Sequence, residues 1–259
     1  MFMGKTREKV SFDAYYRQIY ADRWDGLQEA LLSEPHQIPL DSRDAPYYLD
    51  EASVIAAQTL PVSPGSTVLD MCAAPGGKSL ILSTQLGDTG TLVCNDRSSQ
   101  RRARLHRVLD TYTSEEVRNR IRITSHDASK WALYESERYD SILLDAPCSS
   151  ERHVLRDPSA MAAWSVSRTR NLQSLQFAML ASALEAVKVG GYILYSTCSI
   201  NPHENQDIVN RLEKKRQGRY RFVDTGFDRG EYCSPGVLIL PDTEENLGPI
   251  YYVLIERTA

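Results

Sequence analysis

The stretch that decides the fold runs from Thr67 to Ser79, Thr-Val-Leu-Asp-Met-Cys-Ala-Ala-Pro-Gly-Gly-Lys-Ser. An apolar strand, Thr67 to Met71 with Asp70 near its end, breaks into a turn of small residues and opens a helix from Ser79 to Leu86, which Gly87 can cap. Thr91 to Cys94 reads as a second strand and ends in Asn95-Asp96. Strand, helix and strand in so short a span make a βαβ unit.

The same alternation continues outward. Ser98 or Ser99 caps a helix through about Tyr112, with Leu105, Val108, Leu109 and Tyr112 on one face. Ile121 to Thr124 is a third strand, followed by Asp127, and Tyr139 to Leu144 a fourth, ending in Asp145. A long amphipathic helix spans about Ser167 to Val187 and stops at Gly190-Gly191. Tyr192 to Tyr195, Val237 to Leu240 and Ile250 to Glu256 complete the strands. The pattern predicts an α/β fold with a mostly parallel, seven-stranded sheet and helices on both faces.

Upstream, Phe12, Tyr15, Tyr16, Ile19, Trp24, Leu27, Leu31 and Leu32 recur near helical spacing, which predicts one helix over residues 11–32 stopped by Pro35. Glu34 to Asp50 is polar and punctuated by Pro35, Pro39 and Pro46, and Glu51 to Leu60 is a short helix. The expected organisation is an N-terminal helical extension over residues 1–46 and a catalytic domain over residues 47–259.

The chain has 259 residues, 42% hydrophobic and 25% charged, enough for a core and unlike a disordered chain. No apolar run approaches the roughly 18 residues that span a bilayer. Met1 to Val10 mixes Lys5, Arg7 and Lys9 with Glu8 and has no apolar signal core, so an intracellular protein without membrane contact is expected. The five cysteines, Cys72, Cys94, Cys148, Cys198 and Cys233, form no CxxC pair, which argues against a disulfide framework or a metal site.

The 30 basic and 34 acidic residues leave a net charge of −4, a poor balance for a generic nucleic-acid binder. The positive charge is nevertheless gathered. Residues 97–107 hold five Arg and no acid, with Arg97, Arg101 and Arg104 on one helical face, and residues 211–221 add six basic residues against Glu213. Arg152, His153, Arg156, Arg168 and Arg170 follow the fourth strand. These segments read either as solvated helix faces or as a phosphate track.

In a doubly wound sheet the ligand crevice lies at the strands' carboxyl ends. There the sequence sets Asp70 to Lys78, Asp96, Asp127, Asp145-Ala146-Pro147-Cys148 and Ser196-Thr197-Cys198-Ser199. The first loop is neither a GxGxxG fingerprint nor a phosphate-binding loop of the GxxxxGK[ST] kind. It reads as a packing turn or as a close backbone approach to a ligand above a helix N-terminus. A lone buried cysteine is ordinarily inert core, but two at crevice-facing strand ends point to thiol chemistry.

Asp70–Ser79 (DMCAAPGGKS), Asp145–Ser149 (DAPCS) and Tyr195–Ser199 (YSTCS) resemble the Nop/Sun family of RNA cytosine-C5 methyltransferases. Asp50-Glu51-Ala52-Ser53 is similar to that family's acid-x-Ala-Ser element, and Glu204-Asn205 to its Glu-Asn pair. The similarity runs from about Tyr48 to the C-terminus. Phe12-x-x-Tyr15-Tyr16, Arg23-Trp24 and Gly248-Pro249-Ile250-Tyr251-Tyr252 look most like the mitochondrial-type branch.

The resemblance implies a Rossmann-like class I methyltransferase that uses S-adenosylmethionine. Cys72, Ala73, Ala74, Pro75, Gly76, Gly77 and Lys78 would wrap the methionine and ribose portion. Asp96 would hold the ribose hydroxyls, Asp127 would contact the adenine, and Arg101 joins the cofactor set. Asp145 would sit between cofactor and target base, Cys198 would be the nucleophile, and Cys148 would assist product release. The implied substrate is a cytosine in structured RNA, ribosomal RNA rather than tRNA. The compartment would be the bacterial cytoplasm or the mitochondrial matrix. A monomer is expected. Nothing resembles the added RNA-binding domain of many members, so a partner protein or a preassembled ribonucleoprotein is expected to help hold the RNA.

The chemistry explains the residue types. Cytosine C5 is too weakly nucleophilic to take a methyl group directly, whereas a thiolate adding at C6 turns the ring into an enamine. Sulfur both attacks and leaves well. Asp145 at the N3/N4 edge would stabilise charge building up on the ring. The base must be unpaired or flipped out, and Tyr47, Tyr48 and Trp164 can either stack on neighbouring bases or serve as packing surface.

Rival readings are weaker. DNA cytosine enzymes also carry a Pro-Cys after the fourth strand, but their Glu-Asn-Val partner is absent, and amino-methylating enzymes favour an aromatic where Cys148 stands. A non-catalytic ribosome-assembly factor would not require Cys198, Cys148 and Asp145 together.

Overall fold

The computed structural model describes residues 10–40, 45–226, 228–244 and 246–259. The basic start with Lys5, Arg7 and Lys9 lies outside the described residues. Two short strands, β1 (Gln37–Leu40) and β2 (Tyr47–Asp50), pair antiparallel as a hairpin. Five parallel strands follow: β3 (Thr67–Asp70), β4 (Thr91–Asn95), β5 (Ile121–Thr124), β6 (Tyr139–Asp145) and β7 (Val187–Thr197). Then β8 (Tyr220–Val223), β9 (Glu231–Cys233), β10 (Gly236–Ile239) and β11 (Ile250–Arg257) extend the sheet antiparallel.

The order is β5-β4-β3-β6-β7-β11-β10-β9, with β8 also on β11, so the sheet has nine strands among the described residues rather than seven. All seven expected strands are present. The two additional ones are short, and β8 sits in the basic run, where its alternation is easily missed. Winding outward from β3 to β5 and then back across to β6 makes the β3–β6 boundary the topological switch point, where such sheets bind ligands.

Successive strand residues point to opposite faces, and the core divides accordingly. Leu69, Ile142, Leu144, Ile193 and Tyr195 pack on one face, and Val68, Leu143 and Leu194 on the other. The first face is covered by α1 (Phe12–Tyr20), α2 (Trp24–Leu32) and, further along the chain, the long helix Val166–Ala186 and the helix Gln206–Arg216. The second is covered by α3 (Glu51–Thr59), α4 (Gly77–Gln85) and α5 (Ser99–Tyr112). The remaining helices are α6 (Glu115–Arg118), α7 (Glu151–Arg156), α8 (Pro158–Ala163), α9 (the long Val166–Ala186) and α10 (Gln206–Arg216).

Two element boundaries differ from the sequence expectation. Strand β7 begins at Val187, directly after α9, so Gly190-Gly191 lie inside the strand and do not stop the helix. A Cβ on Gly191 would stand 2.7 Å from the Asp140 carbonyl, so the residue is glycine for cross-strand clearance. Residues 11–32 form two helices rather than one, broken by the 3₁₀ turn Ala21–Arg23 with Ala21 at φ 49°. Tertiary contacts explain the break. The Trp24 indole donates to Asp13 at 2.8 Å, although eleven residues of straight helix would separate the two by about 16 Å. Arg23 in the turn pairs with Glu231 at 2.5 Å and Asp242 at 2.6 Å.

Trp24 is fully buried and stacks on Tyr16 at 5.2 Å between ring centroids. Trp24→Ala should therefore cost about 3–5 kcal/mol, measured as a lower urea midpoint at unchanged slope.

Candidate active site

The switch point gathers the chemistry. β3 ends at Asp70, and the loop that follows packs under the β1–β2 hairpin before opening α4. Asp70 is buried and accepts from the Ser79 hydroxyl at 2.7 Å, while its Oδ1 has no partner. Burial pushes its carboxyl up to about 7 against the pull of Ser79. A small cleft of roughly 60 Å³ lies here, lined by Leu49, Asp70, Cys72, Lys78 and Asp145 among others. The hollow of about 470 Å³ between α10 and the antiparallel strands contains none of the strand-end residues named above.

The glycines of this loop have a packing reason. Gly76 sits at φ 122°, and a Cβ there would meet Val108 at 3.0 Å and Leu105 at 3.2 Å. A Cβ on Gly77 would stand 2.9 Å from Leu49 Cδ1 and 3.1 Å from Tyr47 Cε1. The loop is thus clamped between the hairpin and α5, the packing-turn alternative of the sequence reading.

Asp96 follows β4 and is 5% exposed. Its Oδ1 accepts from the Ser98 amide at 2.9 Å. Its Oδ2 lies 3.4 Å from Arg101 Nη1 and accepts no hydrogen bond. Arg101 also donates to the Ala74 carbonyl, tying α5 to the loop after β3. Asp127, after β5, caps a 3₁₀ turn through Ser129 and stands 3.7 Å from Arg97. The Ser129 hydroxyl holds its carboxyl below the usual range.

Asp145 ends β6. It accepts from Lys78 Nζ at 2.8 Å and from the Ser196 hydroxyl at 2.9 Å. Burial works against the Lys78 charge, but the Asp145 carboxylate more than offsets it and raises Lys78 above its ordinary value.

The sharpest feature lies just beyond. Cys148 and Cys198, on loops after adjacent strands, bring their Sγ atoms to 3.1 Å, both free. Cys198 is exposed and also lies 3.3 Å from the Ser150 hydroxyl. Ser150 occupies the left-handed region at φ 58°, an unfavourable conformation for a side-chain-bearing residue, and it sits where it can serve Cys198. The hydrogen bond from Cys148, aided by Ser150, lowers Cys198 below an ordinary thiol and raises Cys148 well above one. Burial pushes up Cys72, Cys94 and Cys233. Of the five thiols, Cys198 alone is shifted toward the thiolate.

Beneath the pair lies a network not foreseen from sequence. Glu151 and Glu204 are both fully buried and meet at the Ser149 hydroxyl. Gln176 of α9 donates to Glu204 at 2.9 Å, and Tyr16 of α1 donates to Glu151. The Glu204-Asn205 pair was the available signal. Glu151 had none beyond its nearness to Cys148.

Other candidates fall into packing roles. Trp164 packs on Phe12 and Tyr15, and Tyr47 on Tyr112, whereas Tyr48 is 58% exposed. Arg152 and Arg156 bond the last carbonyls of α2, at Leu31, Leu32 and Ser33, as helix-end caps. Arg102 bonds the backbone of Asp96 and Arg97. Arg216 and Arg219 pair with Glu185 and Arg221 with Glu256, while Arg211 lies 4.0 Å over the Phe177 ring.

Comparisons with known proteins converge. The family model described as 16S rRNA methyltransferase RsmB/F matches residues 57–254. The chain is 38% identical over 225 residues to the 5-cytosine rRNA methyltransferase NSUN4 of Bos taurus, covering 80% of this chain and 58% of that protein. It is 34% identical over 250 residues to the mitochondrial tRNA (cytosine(34)-C(5))-methyltransferase of Danio rerio, covering 89% of this chain and 67% of that one. These relatives agree with the mitochondrial-type branch suggested by the N-terminal aromatics. A crystal structure of a methyltransferase homolog protein from Pyrococcus horikoshii superposes with a TM-score of 0.74 at 20% identity, covering 94% of this chain and 93% of that one, and shows the fold. The chain spans less than two thirds of the length of the NSUN4 relatives, 58% for the bovine protein and 60% for that of Mus musculus.

The shifted thiols make a chemical prediction. Because Cys198 ionises below an ordinary thiol, iodoacetamide should modify it first as pH is raised from the acid side. Cys148→Ala removes the hydrogen bond, so the midpoint of Cys198 alkylation should move to higher pH, read by peptide mass mapping.

Proposed function

Because the chain belongs to the 16S rRNA methyltransferase RsmB/F family, we propose that it methylates C5 of a cytosine in RNA, using S-adenosylmethionine as donor and Cys198 as nucleophile. The observation that carries this reading is the thiol pair at 3.1 Å, with Cys198 the member shifted toward the thiolate, on the loops beyond Asp145 and Ser196.

The residues present fit the donor. Asp96 Oδ2 is a buried acceptor without a hydrogen bond, the atom a ribose hydroxyl would satisfy. The loop from Cys72 to Lys78, with Arg101 beside it, would hold the methionine and ribose portion. Asp127 would take the adenine through the oxygen not committed to Ser129. S-adenosylmethionine, when bound, supplies an electrophilic methyl group on a sulfonium centre.

The chain's own residues do the rest. The Cys198 thiolate forms a bond to C6 and moves electron density to C5, the carbon to be methylated. Asp145, fixed by Lys78 and Ser196, would accept from the cytosine amino group and orient the ring, and the Lys78 ammonium beside it offsets negative charge developing there. Solvent water then takes the C5 proton, the electrons of that C–H bond re-form the C5–C6 double bond, and the Cys198 sulfur leaves as thiolate, which restores the aromatic ring. The Cys148 thiol, held protonated against Cys198, is poised to assist that departure.

The names of the relatives include both rRNA and tRNA enzymes. We favour ribosomal RNA, which the family description and the bovine and murine relatives support. The Danio rerio tRNA enzyme is mitochondrial by name, which supports the mitochondrial matrix for a eukaryotic chain, with the cytoplasm the corresponding compartment for a bacterial one.

Incubation with methyl-labelled S-adenosylmethionine and total RNA tests the reading. Wild type should place label at C5. Cys198→Ala should transfer none, and Cys148→Ala should accumulate a covalent RNA adduct. Label at N4, or exchanged roles for the two cysteines, would refute the mechanism. Asp96→Ala should weaken donor binding ten- to a hundredfold, about 1.5–3 kcal/mol by calorimetry.

A further inference from the structure

The methyl-transfer scheme leaves Glu151 and Glu204 without a task, yet two fully buried acids are costly unless they are needed. Among the described residues neither carboxyl has an ion-pair partner. Every group donating to them is neutral: Tyr16, Ser149, Ser199 and the Ile200 amide toward Glu151, Ser149 and Gln176 toward Glu204. Two adjacent buried carboxylates without a counter-ion cannot both remain charged.

Counting hydrogens locates the retained proton. Ser149 has one hydroxyl hydrogen but lies 2.5 Å from Glu204 Oε1 and also contacts Glu151 Oε1. Glu151 gathers donors at both oxygens, as an ionised carboxylate does, so the Ser149 hydrogen goes to Glu151. The Ser149 oxygen must then accept, and the hydrogen it accepts is carried by Glu204 Oε1. The resulting order is Glu204–H to Ser149–H to Glu151.

This chain joins the residue after Cys148 to the residues after Cys198, because Ser199 donates to Glu151 at 3.1 Å and the Ile200 amide at 3.0 Å. We propose that Glu204 and Glu151 share one proton through Ser149, and that this buried pair is a positioning device holding the Cys148 and Cys198 loops together until the proton is lost. Once Glu204 ionises, one hydroxyl hydrogen faces two carboxylates, and the loops separate.

The surrounding groups leave that titration to Glu204. Facing it are Glu151 and Cys148, Tyr15 and Tyr16 from α1 and Tyr195 from β7, with Arg170 of α9 beside Tyr15. Burial pushes all three tyrosines up, so they stay neutral near pH 7. Burial, reinforced by Glu151, pushes Glu204 up to about 7. A raised carboxyl holds its proton more tightly in the native state than in the unfolded one. Its stabilisation is therefore full in acid and is lost as pH rises through about 7.

The inference rests on reading these cysteines as the working thiols, but its test needs neither RNA nor methyl donor. Phenylarsine oxide bridges two thiols only when they are close, and its capture rate can be followed by intact mass, with Cys148→Ala as blank. Glu204→Gln mimics the protonated acid and cannot ionise. Its capture rate should match wild type near about pH 6 and exceed it at least about threefold near pH 8.5. Because ionised Glu204 also raises the Cys148 thiol, the ionisation of Cys148 and Cys198 is followed in each protein by alkylation against pH and divided out before the rates are compared. A ratio flat across that range would overturn the proposal, as would a variant already slowed in acid. Should Glu204→Gln fail to fold, pH-difference infrared spectra of wild type and Asp70→Asn decide. Because Asp70 is also pushed up to about 7, a protonated-carboxyl band bleaching near neutrality that persists in Asp70→Asn supports the shared proton, and its absence from that variant overturns it. Failure here leaves the methyl-transfer reading intact, and failure of that reading leaves the shared proton measurable.

Discussion

The site depends on the register of two parallel strands. Asp145 on β6 faces Ser196 on β7, and the Ala146 amide donates to the Ser196 carbonyl at 2.8 Å. That pairing starts the two cysteine loops at the same height on the sheet, so residues fifty positions apart meet at 3.1 Å. A one-residue slip would turn each side chain to the opposite face and lose the alignment. Both strands are held from either side, β6 by β3 and β7 by β11. The antiparallel strands, although remote from the chemistry, thereby keep β7 in place.

Below the sheet edge, buried amide side chains tie the strand-end loops to one another. Asn95 donates to the Met71 and His126 carbonyls and accepts from Thr124, binding three strand-end loops together. Asn205 links Thr197 to Ser199 in the same way. Such networks rigidify a site, since each missing partner would leave a buried polar atom unsatisfied. The N-terminal helices belong to this scaffold as well. Tyr16 reaches Glu151, and Tyr20 donates to the Ile200 carbonyl, so the extension supports the floor of the cysteine loops.

Much of this was legible in the residues because parallel strands announce themselves. Short apolar runs, four of the five followed by an acid, gave β3 through β7, and the switch point followed from their alternation with helices. What was not legible depended on contacts between distant segments. The hairpin reads as a polar, proline-marked stretch because Pro39 stands in β1, opposite Tyr48. Ala21 breaks its helix because Asp13 and Trp24 meet in space. Arg152 and Arg156 carry the charge expected of an RNA contact, yet they bond the end of α2. Glu151 looks like an ordinary helix-opening acid, and only the fold shows that it is sealed against Glu204.

The central claim is that Cys198 forms the bond to the cytosine ring. RNA carrying 5-fluorocytidine tests it most directly, because fluorine at C5 prevents loss of the proton that would free the enzyme. Protease digestion and mass spectrometry of the trapped complex, formed with S-adenosylmethionine, should find the nucleotide on the Cys198 peptide. A nucleotide on the Cys148 peptide, or no covalent complex under turnover conditions, would contradict the account.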